Sequence, residues 1–71
     1  MTDSEKLAAL ILLVKEQGAD FDHMVKSCED EAAVETANGN TEAAAVLRGK
    51  ADAYDYSSQM CRDLLKPIGE F

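Results

Sequence analysis

Residues suited to a helix interior recur along this chain at alternating steps of four and three. They run Leu7, Ile11, Val14, Gly18, Phe21, Val25, Cys28 and Ala32, and resume past Asn38-Gly39-Asn40 as Ala44, Leu47, Ala51, Tyr54, Ser58, Cys61 and Leu65. Such spacing keeps one face of a helix turned toward a partner helix. Two stripes joined by a short polar turn predict an all-α antiparallel helical hairpin, with a long helix over about 4–37 and a second over about 41–65.

Local signals agree with those bounds. Thr2 and Glu5 have the spacing of a capping box, in which hydroxyl and carboxylate each satisfy an amide at the helix start. At the turn, Gly39 or Asn38 can take a positive φ and Asn40 or Thr41 can cap the second helix. Pro67 cannot continue the hydrogen-bond ladder and stops that helix.

Gly18 is the one discordant position, because glycine inside a helix costs about 1 kcal/mol relative to alanine. A break there, with Asp20 capping a new helix, would give a three-helix bundle. One continuous helix is favoured by a register in which facing residue numbers sum to about 79, since large side chains then meet small ones. Phe21 faces Ser58, Leu47 faces Ala32, Gly18 faces Cys61 and Val14 faces Leu65.

A hairpin can hide one stripe per helix, yet Leu7-Ala8-Ala9-Leu10-Ile11-Leu12-Leu13-Val14 is apolar all the way round, and a helix of that kind is buried on every side. Leu7, Leu10, Leu13 and Met24 on the first helix, with Tyr56, Leu64 and Ile68 farther along, are therefore the candidate interface residues, and Phe71 adds to the same end. The expected arrangement is a homodimer in which two hairpins form a four-helix bundle. The rival is a partner protein's helix on the same surplus. Residues 1–71 read as one helical domain, in which 68–71 are a flexible tail or, because Glu70-Phe71 is what an EcoRI site encodes, a remnant of a cloning boundary.

With 71 residues, a core of this kind supplies only about 3–5 kcal/mol without help. Disulfide help is not expected. The register sets Cys28 beside Ala51 and Cys61 beside Gly18, about 15 Å apart along the helix, whereas a disulfide needs Cα atoms within about 7 Å. Both cysteines read as small buried hydrophobes of a reduced, cytoplasmic protein. The amino terminus is acidic where a signal peptide is basic, and the apolar run is far short of a membrane span. No membrane association is expected.

Fourteen acids against seven bases give a net charge of −7, which repels nucleic-acid phosphate, so no direct nucleic-acid binding is expected. Glu29, Asp30, Glu31, Glu35 and Glu42 form a stretch without a base around the turn, and Asp52 and Asp55 can lie alongside on the second helix. These acids are the basis of an alternative function, a DNA-mimic inhibitor of a nucleic-acid-binding protein. A solvated helix face that keeps the chain soluble is the favoured explanation of them, because blocks of like charge are common on exposed faces.

Little else points to chemistry. His23 sits among Asp20 and Asp22, but positions one and three apart spread round a helix, and no Glu-x-x-His pair recurs. No glycine-rich phosphate loop is present. No catalytic residue, cofactor or metal is expected. Tyr56 lies off the hairpin stripe and, with Arg48, Met60 and Arg62, forms a candidate contact patch, because aromatics and arginines recur at binding hot spots.

The segment Gly39-Asn40-Thr41-Glu42-Ala43-Ala44-Ala45-Val46-Leu47-Arg48-Gly49-Lys50-Ala51-Asp52-Ala53-Tyr54 resembles small helical-hairpin proteins of tailed phages and prophages, in which a turn leads into an alanine-rich helix with a Gly-Lys/Arg-Ala-x-Ala-Tyr centre. Half of a tetratricopeptide unit is also similar, but no 34-residue repeat follows. The phage resemblance implies an accessory protein that acts in the host cytoplasm by binding host or phage machinery, and it brings no catalytic residue. The expected function is a non-enzymatic protein-protein interaction module.

Overall fold

The computed structural model describes residues 1–69, in which α1 spans Asp3–Ala37, α2 spans Thr41–Leu65 and a 3₁₀ turn covers Lys66–Ile68. The two helices pack against each other as an antiparallel hairpin, and α1 runs unbroken through Gly18. Glu70 and Phe71, expected to be a tail or a cloning remnant, lie outside the described residues. Ile68, expected within a tail, belongs to the 3₁₀ turn, which Gly69 closes at φ 74°.

Each boundary has a local cause. Glu5 donates its backbone N–H to Thr2 Oγ1 at 3.2 Å, and Thr2 donates its own to Glu5 Oε1 at 3.1 Å, completing the capping box. At the other end of α1, Gly39 takes φ 81°, which a Cβ would make costly. That conformation aims the Gly39 N–H at the Thr36 carbonyl (3.1 Å) and the Asn40 N–H at the Glu35 carbonyl (2.8 Å), the paired bonds of a Schellman ending. Asn40 starts α2, but its side chain makes no capping bond and instead donates from Nδ2 to Glu35 Oε2 at 2.7 Å.

The stripe lies where its spacing places it, between the helices. Gly18, Ala32, Ala44, Ala51, Ser58 and Leu65 are buried, and Ile11, Val14, Phe21, Val25, Cys28, Leu47, Tyr54 and Cys61 are partly so. Small residues let the backbones approach closely: a Cβ built on Gly18 would stand 3.4 Å from that of Cys61. The Phe21 and Tyr54 rings stack at a centroid distance of 6.2 Å. Both cysteines are free.

Leu7 departs from expectation, for it continues the stripe yet is half exposed. The helices differ in length, 35 residues against 25. With Gly18 beside Cys61, the end of α2 at Leu65 stands level with Val14, so the first turns of α1 extend past it by about 15 Å of helix. Among the described residues, the 3₁₀ turn continues the chain at that end, where Ile68 lines a groove with Leu7 and Leu10. The outcome is a thin slab of 55 × 20 × 14 Å.

Candidate protein interaction surface

Ridges at three- and four-residue steps run down both flanks of each helix, and contacts between helices show which flanks lie on the same side of the slab. One side is polar. Asp22 Oδ2 accepts from Arg62 at 2.7 Å, and nearer the turn Arg48 donates to Thr36 Oγ1 at 2.9 Å. Asp22 also accepts, through Oδ1, a short hydrogen bond from the fully buried Ser58 hydroxyl, whose Oγ lies 3.4 Å from the Gly18 carbonyl oxygen. A hydroxyl has one proton to give, so the short bond to Asp22 takes it and the carbonyl is a secondary neighbour. Val14, Lys15, Gly18, Ala19, Asp22, Cys61 and Arg62 line a hollow of about 170 Å³ on this flank.

The other side is apolar at the open end of the hairpin. Leu10, Leu13 and Met24 descend one flank of α1, and Met60 and Leu64 descend the facing flank of α2; all are substantially exposed. Leu7, Leu10, Ile11, Val14, Leu64, Leu65 and Ile68 enclose a groove of about 340 Å³ with an almost wholly apolar lining. The open end thus brings together Leu7, Leu10, Leu64 and Ile68, with Leu13 and Met24 following on the same flank.

Tyr56 does not join them. It is exposed on the side of α2 turned away from α1, unlike Tyr54, which stacks on Phe21. Nor does the expected patch around it assemble: Arg62 is drawn to Asp22 and Arg48 to Thr36, both on the polar side, which leaves only Met60 as a neighbour one turn along. Sequence reasoning passed over Leu12, which is exposed and shares the helix row of Ala19 and Lys15 on the polar side of α1. Its signal was membership of the all-apolar run Leu7–Val14.

The acids fan out rather than align. Successive residues turn by about 100° round a helix, so Glu29, Asp30 and Glu31 point in three directions. Glu35 is half-buried and accepts from Asn40, Asp55 accepts from Gln59 at 3.4 Å, and Glu42 and Asp52 are exposed on α2. His23 is exposed, and among the described residues no group of three histidine, cysteine or acidic side chains is placed to hold a metal ion. Among the same residues, no helix is long and apolar enough to cross a membrane. Comparison with protein-family models, curated proteins and solved structures finds no match to this chain.

Proposed function

We propose that this hairpin is a non-enzymatic protein-protein interaction module that works through the apolar flank at its open end. The observation that carries the proposal is the groove framed by Leu10, Leu64 and Ile68, together with an α1 overhang beside which no α-helix lies among the described residues. Covering a large aliphatic side chain contributes roughly 1.5–3 kcal/mol, so several at one end form a surface that gains by being occupied. The resemblance of residues 39–54 to phage hairpin proteins adds host or phage machinery as the setting.

Capture by the tagged chain from bacterial lysate, at low and high salt and with and without nuclease, tests this function. Expected is a discrete protein retained at high salt and lost when Leu13 and Leu64 are replaced by glutamate. Retention indifferent to those substitutions overturns the assignment. Nucleic-acid enzymes that bind only at low salt would instead support the acidic decoy.

A further inference from the structure

We infer that the apolar flank is a self-docking surface, and that the occupant of the groove is the same flank of a second copy of this chain. The inference rests on the interaction role proposed above and names its first partner.

The area supports it. A folded monomer of 7.7 kDa exposes about 4,300 Å² on average. This chain exposes 5148 Å², roughly 800 Å² more. A stable protein-protein interface removes about 800 Å² from each partner. The excess of one hairpin therefore matches one half of an ordinary dimer interface. Its radius of gyration of 16.2 Å, against about 11 Å for a compact chain of this length, has the same origin in a slab only two helices across.

Position and charge select the surface. Leu10, Leu13, Met24, Met60 and Leu64 fall on the flank opposite the Asp22–Arg62 pair, so a twofold axis can set two such flanks together without burying that ion pair. Stacked this way, two slabs make a four-helix bundle with an interior shared by both copies. The acids Glu29, Asp30, Glu31 and Glu42 lie toward the turn; at the open end Lys6 and Asp20 share the helix row of Leu13 at the outer edge of the flank, while the groove between Leu7, Leu10, Leu64 and Ile68 is lined without a charged residue, so apolar surface meets apolar surface at the centre of the contact.

Leu12 and Leu13 provide the test, because each is 57% exposed while the helix turns them onto different sides. Sedimentation equilibrium of the purified full chain over a dilution series should give a dimer mass that falls to the monomer on dilution. Leu13→Glu and Leu64→Glu, on the two helices of the same flank, should each weaken association by about a hundredfold or more, since every substitution enters a symmetric interface twice. Leu12→Glu should leave the association constant within about threefold of the parent, as expected outside an interface. Circular dichroism of each variant tells loss of association from loss of the hairpin.

A parent chain that stays monomeric throughout the series overturns self-docking without recourse to any variant. So does a dimer that survives Leu13→Glu and Leu64→Glu but is lost with Leu12→Glu, which would place the interface on the polar side of the slab, with Asp22. If the parent is monomeric while Leu13→Glu still abolishes capture of another protein, only the identity of the occupant fails. If capture is also indifferent to Leu13→Glu, the interaction role fails with it.

Discussion

Ser58 lies between α1 and α2, one turn from the close approach of Gly18 to Cys61, and it is completely buried. Its hydroxyl serves Asp22, which stays half exposed and keeps Arg62 as a second partner. Replacement by alanine should therefore cost only about 1 kcal/mol in urea unfolding, the net worth of one hydrogen bond. Leucine at the same position has to push the helices apart and should cost more, about 1–3 kcal/mol. Glycines offer the converse change. Nothing lies within 4 Å of a Cβ built on Gly49, so Gly49→Ala should stabilise by about 1 kcal/mol, the helix-propensity difference. Gly18→Ala should gain less, because its new methyl meets the Cβ of Cys61 at 3.4 Å. Unfolding at one fixed protein concentration ranks the four variants, and an equal gain at both glycines would mean that the close approach at Gly18 carries no cost.

At the scale of the elements, the two ends of α1 are held by different means. Thr2→Ala removes a hydroxyl cap that lies on the overhang, so it should fray the first turn and cost about 0.5–2 kcal/mol, read as faster amide exchange confined to the first residues of α1. Gly39→Ala keeps the turn sequence but puts a Cβ on a residue at φ 81°, and should cost about 1–2 kcal/mol in global unfolding. These ends were legible in the sequence because caps, a turn glycine and a proline act within three or four residues of themselves. The stripe was legible for a similar reason, since helical periodicity alone decides which residues turn inward. What the sequence hid depends on two helices at once. Leu7 continues the pattern faultlessly, yet its burial depends on whether α2 is long enough to reach it. Asn40 has a favoured capping side chain, yet Glu35 across the turn takes it. Residue type, favoured at binding hot spots, groups Arg48 and Arg62 with Tyr56, but their partners Thr36 and Asp22 draw them to the other side of the hairpin. The open-end surplus could be counted from residue types, whereas its gathering onto one flank required the Asp22–Arg62 pair to show which sides of α1 and α2 correspond.

For the whole molecule, charge and apolar area oppose each other, and salt separates them. A chain of net charge −7 becomes a dimer of twice that charge, so association works against a long-range repulsion that does not depend on which apolar residues touch. The ionic atmosphere shortens that repulsion to about 10 Å at 0.1 M salt and about 3 Å at 1 M. The groove at the centre of the open-end contact is lined without a charged residue, and the Asp22–Arg62 pair lies on the opposite flank, so salt has little attraction to screen in exchange. Self-association should therefore tighten as sodium chloride rises, the reverse of what an acidic surface captured by a basic partner would do. Folding is linked to the same equilibrium: if the slab gains part of its stability from a second copy, Tm should rise with protein concentration and rise further with salt. Thermal unfolding of the parent and of Leu13→Glu across a concentration series at two salt levels checks both dependences together. The parent should show a concentration-dependent Tm whose midpoint increases with salt, and Leu13→Glu should show a lower Tm independent of concentration. A parent Tm that is flat in concentration, or a dimer that loosens as salt is added, would mean that electrostatic attraction rather than burial of the open end brings the copies together, or that they do not meet.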